Sequence, residues 1–374
     1  MKRVLVNLTW LVPGVVGGSE EASTGALRAL ADHPDPRFEL VLAVLEPFGA
    51  AHPDLLDRYE SVVLDQSGSN RVRRVWADQT WLAAQAQRCR AEVVHHAGGT
   101  VPFRHPGRVV LTVHDTQPLD SPGNFSLLKR TYLRVMSQRS FRAADVIVTP
   151  SRFTAERVRM HGAPPTTPVR IVPWTVPPPS AVDVRVNERL AAELEDHRYL
   201  LYPAIPYVHK GHSVLLEAFA RVVADHHDVR LVLTGRPGPL DAEIAERIAQ
   251  PDLAGRVLRT PRLPRSELNW LRRDATLVVV PSAYEGFGLP VLEAMRDGVR
   301  VLVSAAGSLP EVANPDDVVD PDSAPDWSRA IAEVLCESPE ERRTCVLAGR
   351  RRAEEFTPTV TAAGLYDAYR ESVS

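Results

Sequence analysis

Short apolar runs alternate with longer amphipathic stretches along both halves of the chain. Runs such as Val4–Leu8 are apolar enough for buried strands, and stretches such as Leu127–Arg142 have the spacing of helices. Apolar strands that alternate with helices are typical of a parallel sheet covered on both faces. In the first half the pattern predicts strands at Val4–Leu8, Glu39–Leu45, Glu92–His95, Val109–His114, Val146–Thr149 and Val169–Val172, and helices at Glu20–Ala31, Gln79–Arg90, Leu127–Arg142 and Arg152–His161.

A proline cluster, Pro173 to Ser180, interrupts this alternation. It can continue neither a helix nor a central strand, so it predicts a stiff linker. The sequence therefore predicts an α/β protein with two doubly wound, Rossmann-like domains, 1–178 and 190–356. In the second half the predicted strands are Tyr199–Pro203, Val229–Thr234, Arg256–Arg259, Thr276–Val280 and Arg300–Ser304, and the predicted helices are Ser213–Ala224, Leu240–Gln250, Ser266–Arg273, Leu292–Asp297 and one beginning after Ser338.

Charge and cysteine usage narrow the class of function. The net charge is −3, with 21 Lys and Arg against 16 Asp and Glu in residues 1–178 and 23 against 31 in the remainder. A surplus of five positive charges over such a long segment is too weak for a nucleic-acid-binding domain. Three scattered cysteines and the absence of an apolar run of ~20 residues indicate a cytoplasmic protein.

Parallel sheets bind ligands beyond the carboxyl ends of their strands, so the loops at those ends are the candidates for chemistry. The segment after the first strand contains Gly17 and Gly18 and leads into a helix, whose N–H groups could bind an anion. A flexible glycine turn is the alternative. His114 follows another strand, and His95 and His96 form a second candidate pair, although a single histidine is often structural.

Two segments of the second half carry stronger patterns. Lys210 lies beside Gly211 at a helix start, where a positive charge is unfavourable unless it binds a phosphate. The segment SAYEGFGLPVLEAMRDG at 282–298 places Glu285 and Glu293 around a glycine-rich turn that opens a helix. Backbone N–H groups from Gly286 to Leu289 can contact phosphate or sugar hydroxyls there, and carboxylates accept hydrogen bonds from vicinal hydroxyls.

These motifs, in this order, resemble the retaining, nucleotide-sugar-dependent glycosyltransferases of family 4. That family has the GT-B fold, in which two Rossmann-like domains face a central cleft. The resemblance covers nearly the whole chain, and its most specific part is the E-x7-E pattern of Glu285 and Glu293. Supporting matches are Gly17-Gly18-Ser19-Glu20, Val113-His114-Asp115, Ala144-Asp145 to Ser151, Tyr202-Pro203-Ala204, His209-Lys210-Gly211, Gly235 and Leu309-Pro310-Glu311, and the pattern is most like that of mannosyl- and rhamnosyltransferases of polysaccharide assembly.

The resemblance implies a role for each matching residue. Glu293 would bind the donor ribose, Glu285 the donor sugar, and Lys210 the leaving diphosphate, while His114 would contact the sugar near its anomeric carbon. The catalytic candidates are therefore His114, Lys210 and Glu285. The donor-binding candidates are Gly17, Gly18, His209, Gly211, Gly235, Arg262, Leu263, Gly286, Phe287, Gly288, Leu289 and Glu293, and the resemblance implies neither a metal nor a cofactor.

The implied reaction is transfer of a hexosyl group, mannosyl or related, from a nucleotide-diphosphate sugar, with GDP favoured. The acceptor would be a saccharide or a lipid-linked sugar. A pseudo-glycosyltransferase, a nucleotide-sugar epimerase and a non-catalytic sugar-nucleotide-binding subunit are the alternatives. The chain departs from the family at Ile205, where an arginine is common, so one cationic contact to the diphosphate is either missing or supplied by another residue such as His209 or Arg236.

The parts that face the acceptor are harder to predict. Acceptor choice is expected from the loops Ser67–Arg74 and Gln117–Phe125, and residues 357–374 are expected to form a helix that returns to the first domain, as in the family. A basic amphipathic helix leaves open a peripheral contact with the inner face of the membrane, although a solvated helix packed on the sheet fits equally well. The basic residues of this helix are Lys129, Arg130, Arg134, Arg139 and Arg142.

Overall fold

The computed structural model describes residues 1–121, 127–176 and 188–374. The chain divides into two compact units. The first consists of Met1–Pro177 together with Phe356–Ser374, and the second of Pro178–Glu355. Among the described residues, no helix combines the length and the apolar character needed to cross a bilayer.

The first unit is built on a sheet of seven strands with the order β3-β2-β1-β4-β5-β6-β7, all paired in parallel. The prediction of a parallel α/β sheet is confirmed, with strand ends that differ by one or two residues. The prediction missed β3, an edge strand whose residues are only partly buried and therefore lack a clear apolar run. The strands are β1 (Lys2–Asn7), β2 (Phe38–Leu45), β3 (Glu60–Leu64), β4 (Val93–His96), β5 (Arg108–Thr112), β6 (Val146–Thr149) and β7 (Val169–Ile171).

Helices connect these strands and cover the sheet. Leu82 and Ala86 of α4 pack against Leu5, Val41 and Val94 of the central strands. In the same way α6 and α7 cover β5 and β6. The helices are α1 (Gly18–Asp32), α2 (Glu46–Ala51), α3 (Pro53–Leu56), α4 (Arg71–Arg88), α5 (Gln117–Asp120), α6 (Leu127–Ala143) and α7 (Arg152–Met160).

Two expected loops of the first unit are partly helical. Helix α4 begins at Arg71 rather than Gln79, because the Asn70 side chain accepts a hydrogen bond from the Arg73 N–H at 3.1 Å and caps it. The loop expected at 67–74 therefore ends at Asn70. In the second expected loop, 117–125, the first four residues form α5, and residues 122–126 lie outside the described part.

The interpretation of 173–180 as a linker is wrong for its first four residues. Trp174, Thr175 and Val176 are buried. The Thr361 hydroxyl donates a hydrogen bond to the Pro173 carbonyl at 2.8 Å, so this segment is fixed within the first unit. Proline alone cannot distinguish an extended buried segment from a linker, since both exclude helix and central strand. Residues 177–187 lie outside the described part.

The second unit contains a sheet of six strands with the order β10-β9-β8-β11-β12-β13, again all parallel. All five predicted strands are present, and the sixth, β13, has only two residues. The Ser338 helix start is confirmed, with a full capping box to Glu341. The elements are α8 (Glu188–Leu194), β8 (Arg198–Pro203), α9 (His212–Val222), β9 (Val229–Thr234), α10 (Asp241–Ile248), β10 (Val257–Thr260), α11 (Arg265–Asp274), β11 (Leu277–Val280), α12 (Leu289–Asp297), β12 (Arg300–Ser304), α13 (Leu309–Val312), β13 (Val318–Val319), α14 (Ala324–Leu335) and α15 (Pro339–Ala353).

The last helix, α16 (Pro358–Ser372), packs in the first unit. The Tyr369 hydroxyl and His95 Nδ1 are 2.9 Å apart, and His95 Nε2 lies 2.7 Å from the Thr112 hydroxyl. Burial lowers the pKa of His95 to about 3. His95 is therefore a neutral core residue that joins α16 to the sheet, and the interpretation of His95 and His96 as a candidate pair for chemistry fails for His95.

This burial makes stability depend on pH. The His95 pKa is about 3 in the folded chain against about 6.5 when unfolded, so between those values only the unfolded chain takes up the proton. Its contribution to stability is complete above pH 6.5 and is lost as the pH falls. We expect the free energy of unfolding to decrease by up to about 1.4 kcal/mol per pH unit from this residue between pH 6 and 5.

Denaturant unfolding at pH 5, 5.5 and 6 measures this slope. The slope should become smaller in His95→Gln, which cannot take up the proton. It should not change in His227→Gln, which alters an exposed histidine. An equal slope in both variants would contradict the assignment of His95 as a buried neutral group.

Candidate functional site

The candidate site of the second unit lies where the strand order reverses. Strand β8 pairs with β9 on one side and with β11 on the other, and their connections leave in opposite directions. Such a point in a parallel sheet opens a crevice at the carboxyl ends of the two strands. The loops that follow β8 and β11 both reach this point. They carry Lys210 and Glu285.

The loop after β8 is held tightly against the loop after β11. Gly211 has a φ of 68°, and a side-chain carbon added to it would lie 2.1 Å from the Pro281 carbonyl oxygen. Only glycine satisfies both conditions. The Ala283 N–H donates to the His209 carbonyl at 2.8 Å, and the buried Tyr202 hydroxyl donates to the Lys210 carbonyl at 2.6 Å. The backbone at Lys210 is therefore fixed from both sides.

Lys210 and Glu285 form an ion pair at this crevice. The Lys210 ammonium lies 2.6 Å from Glu285 Oε1, and the side chains are 20% and 18% exposed. The Ser282 hydroxyl donates to the same oxygen at 2.8 Å. Within the described part of the chain, both hydrogen bonds of this carboxylate go to Oε1. Oε2 thus remains available to accept a hydrogen bond from a ligand. The ion pair holds the Lys210 ammonium in place while the side chain stays partly exposed.

The Glu285 backbone is anchored as well as its side chain. Its carbonyl accepts hydrogen bonds from the Ser308 N–H at 3.1 Å and from the Ser308 hydroxyl at 3.0 Å. Ser308 immediately precedes Leu309, Pro310 and Glu311, which supported the resemblance. The segment after β12 therefore positions the loop that carries Glu285.

Glu293 lies on α12, within a network of arginines that the sequence did not indicate. Arg272 donates to Glu293 Oε2 at 3.0 Å, and Arg265 approaches Oε1 at 3.4 Å. Arg272 is only 2% exposed and also pairs with the buried Asp297 carboxylate at 2.7 Å. The Glu293 side chain is 14% exposed. Arg272 thus fixes the position of this carboxylate, and such a contact between helices is not readable from local spacing.

The remaining candidates of the second unit lie along the same edge of the sheet. Gly235 directly follows β9, and the Thr234 hydroxyl donates to the Pro261 carbonyl at 3.1 Å beyond β10. Arg262 and Leu263 follow that proline, with Arg262 exposed and Leu263 half-buried. Gly286, Phe287, Gly288 and Leu289 form the turn that opens α12. Parallel pairing therefore brings these segments to one edge of the sheet.

In the first unit, Gly17 and Gly18 open α1 after β1. Gly17 has a φ of 65°, and an added side chain would meet no atom within 4 Å at either glycine. The turn is open to a ligand, as an anion-binding helix start requires. The Glu20 carboxylate secures it by accepting from the Gly14 N–H at 2.8 Å, and it lies 3.0 Å from His52 Nε2.

His114 follows β5 and lines a cavity of about 220 Å³. Its ring lies 5.7 Å from the ring of Trp10 and 5.4 Å from that of Trp174. Burial lowers its pKa to about 4, so the ring is neutral at neutral pH. Nε2 is 2.9 Å from the Ala97 carbonyl and must therefore carry the proton. Nδ1 has no partner among the described residues, which leaves a hydrogen-bond acceptor for a ligand.

Two family models match the chain. The model described as Glycosyltransferase Family 4 covers residues 17–178, and the model described as Glycosyl transferases group 1 covers residues 187–352. The first contains Gly17, Gly18 and His114, and the second contains Lys210, Glu285 and Glu293. The chain belongs to the family 4 glycosyltransferases.

Named relatives of this glycosyltransferase include mannosyltransferases. It is 30% identical to the MMP alpha-(1->4)-mannosyltransferase of Mycolicibacterium hassiacum, over 66% of this chain and 59% of that protein. It is 28% identical to the O-antigen chain mannosyltransferase B of Escherichia coli, over 67% of each. A D-inositol 3-phosphate glycosyltransferase of Segniliparus rotundus is 36% identical over 44% of this chain and 38% of that protein. The matched region thus spans between 38% and 67% of these three relatives.

Solved structures extend the likeness to the whole fold. Sucrose-phosphate synthase of Thermosynechococcus elongatus superposes with a TM-score of 0.77 at 19% identity, over 99% of both chains. HepE of Anabaena, solved with UDP-glucose, gives a TM-score of 0.75 at 17% identity, over 99% of this chain and 100% of that one. At these identities the likeness concerns the fold alone, and the fold of this glycosyltransferase is GT-B.

The structure also bears on the missing arginine at Ile205. Burial and the neighbouring Lys210 lower the pKa of His209 to about 4. A histidine with that pKa is neutral at neutral pH, so His209 does not supply the absent positive charge. Arg236, two residues beyond β9, remains the other named replacement. In the described part of this glycosyltransferase, no group of three or more His, Cys, Asp or Glu side chains is placed to hold a metal ion.

The close approach of Gly211 to Pro281 predicts that an alanine at position 211 destabilises the protein more than an alanine at position 255. Gly211→Ala should lower the free energy of unfolding by about 1–3 kcal/mol more than Gly255→Ala, because its side chain forces the backbone apart. Gly255 also has a positive φ, 71°, but an added side chain meets nothing within 4 Å. Its variant should cost only the backbone strain of about 1–2 kcal/mol.

Denaturant unfolding of the two variants measures the difference. Equal losses would mean that the loops after β8 and β11 are not in the close contact described here.

Proposed function

We propose that this glycosyltransferase moves a hexosyl group, mannosyl or a related sugar, from a nucleotide-diphosphate sugar to a saccharide or lipid-linked acceptor. The observation that carries the proposal is the Lys210–Glu285 pair at the strand-order reversal of the second sheet. Two supporting facts come from other proteins. Two of the named relatives are mannosyltransferases, and HepE of the same fold was solved with UDP-glucose.

The leaving diphosphate needs positive charge at the moment when the bond to the sugar breaks. Lys210 supplies this charge at a position that Glu285 and the fixed backbone define before the donor arrives. Preorganised charge of this kind is the largest single contribution in many enzymes. We assign Lys210 to the diphosphate, with Gly17 and Gly18 of the first unit as further donors, as the resemblance implies.

The donor sugar would bind by donating hydrogen bonds from its hydroxyl groups to acceptor atoms of the protein. Glu285 Oε2 can accept a sugar hydroxyl, and the neutral His114 can accept another through Nδ1. A neutral imidazole does not repel the positive charge that develops at the anomeric carbon, whereas an imidazolium would. We propose that the acceptor oxygen attacks the face from which the diphosphate leaves, so that the configuration is retained.

The proton of the attacking hydroxyl would pass to the leaving phosphate oxygen. In this scheme the bond from the anomeric carbon to that oxygen breaks as the bond to the acceptor oxygen forms. No protein nucleophile and no metal ion take part in the proposed steps. The resemblance favours GDP as the nucleotide.

Nucleotide-dependent thermal unfolding tests the donor site. With GDP, UDP, dTDP, CDP or ADP at ~100 times its dissociation constant, binding adds about 2.7 kcal/mol. We expect one of the five, GDP by our proposal, to raise the unfolding midpoint by several degrees. The nucleotide that responds then selects the sugar donors for an assay of nucleoside diphosphate release.

The control is a pair of glutamates. The shift should be lost in Glu293→Gln, measured against that variant's own midpoint without nucleotide, and kept in Glu243→Gln, which alters an exposed carboxylate on α10. An absence of any response, or a full shift in Glu293→Gln, would contradict the proposed donor site.

A further inference from the structure

Large apolar side chains are exposed at neighbouring positions on two helices and one loop of the first unit. They are Val72 and Trp76 on α4, Phe103 in the loop after β4, and Tyr132 and Val135 on α6. Their exposed fractions are 79%, 69%, 64%, 42% and 57%. We call these five residues the apolar face. Contiguous exposed apolar surface of this kind usually marks an interaction site.

Helical spacing and hydrogen bonds join the five residues into one surface. Val72, Trp76 and Gln79 are four and three residues apart, so they share one side of α4. The Gln79 side chain accepts a hydrogen bond from the Phe103 N–H at 2.7 Å. On the other side of Phe103, the Arg139 guanidinium lies 4.1 Å above its ring. Arg139 follows Tyr132 and Val135 on the same side of α6.

The exposed Phe103 is held in place rather than left on a loose loop. The Val101 N–H donates to the Ser140 hydroxyl at 2.9 Å. Arg139 donates to the carbonyls of Val101 and Pro102 at 2.7 and 2.9 Å. Arg139, one of the basic residues for which the sequence left a membrane contact open, therefore holds the loop in place through its hydrogen bonds. Its contacts present the Phe103 ring to the solvent.

The segments that carry the apolar face are basic. Residues 66–79, 97–110 and 127–143 hold three, two and five Lys and Arg residues, ten in all, against one acidic residue, Asp78, whose carboxylate accepts from the Thr9 hydroxyl. Arg73, Arg104, Arg134 and Arg142 among them are exposed. The chain as a whole carries a net charge of −3, so this concentration of positive charge is local.

Aromatic and aliphatic side chains surrounded by arginine match the two layers of an anionic membrane surface. The rings enter the boundary between headgroups and acyl chains, and the arginines attract the anionic headgroups. We propose that the apolar face docks this protein onto an anionic lipid bilayer. The bilayer is the proposed occupant because exposed apolar rings beside exposed arginines complement its acyl-chain boundary and its anionic headgroups.

The apolar face lies near the carboxyl ends of the strands of the first sheet. Helices α4 and α6 start at the carboxyl ends of parallel strands, and Trp76 and Val135 lie within their first three turns. Phe103 follows the carboxyl end of β4. The docked edge of the sheet is thus the edge that carries Gly17 and His114. The inference does not rest on the proposed function, since it concerns lipid and not the donor.

Vesicle co-sedimentation of the full chain tests the inference. The vesicles contain phosphatidylcholine with 30% phosphatidylglycerol, and pure phosphatidylcholine vesicles show the charge dependence. We expect binding to the anionic vesicles, with at least a tenfold lower partition coefficient for Trp76→Ser combined with Phe103→Ser. Arg73→Gln combined with Arg134→Gln should weaken binding by a similar factor.

Matched controls alter exposed residues outside the face. Met160→Ser on α7 and Arg88→Gln near the end of α4 should bind the vesicles as the parent does. An unchanged circular dichroism spectrum and unfolding midpoint in the Trp76 and Phe103 variant would show that the chain is folded, without reference to the donor site.

Two results would overturn the inference. One is a parent protein that does not bind the anionic vesicles at low ionic strength. The other is vesicle binding that the Trp76 and Phe103 variant retains while it loses a concentration-dependent self-association, because the face would then be a protein interface.

Discussion

The candidate donor site depends on the close approach of two loops at the strand-order reversal of the second sheet. The Pro281 carbonyl occupies the space in which any residue other than glycine at 211 would place its side chain. This contact fixes Lys210 relative to Glu285, although 74 residues separate them in the chain. A cation and a carboxylate on rigid backbone need little reorganisation when a ligand arrives, and this is what binding of a developing charge requires.

The two glutamates of the E-x7-E pattern lie in different surroundings. Glu285 accepts from both Lys210 and Ser282 through Oε1. Glu293 is held by Arg272, which is itself fixed by the buried Asp297. Glu285 thus belongs to a charge cluster at the crevice, and Glu293 to a network between α11 and α12. The arrangement fits a sugar near the first and a ribose near the second.

The sequence predicts the fold well because long, buried parallel strands leave an unmistakable apolar pattern. It fails where burial is partial, as in β3, or where two structures share one composition, as in the buried segment around Trp174. The placement of Lys210 and Glu285 on strand-end loops could be predicted from the sequence pattern. Arg272 could not, because its role depends on a contact between two helices. The neutral state of His209 and the support of Phe103 by Arg139 also depend on burial and long-range contacts.

In the proposed donor site, Glu285 holds Lys210 in place for the diphosphate. This claim can be tested by calorimetric titration of the responding nucleoside diphosphate into the parent, Lys210→Met, Glu285→Gln and the double variant. Loss of Lys210 should weaken binding at least tenfold in the parent and by a clearly smaller factor in Glu285→Gln, with a coupling energy of about 0.5–3 kcal/mol. An equal loss in both backgrounds would contradict the claim, because the two side chains would then act independently.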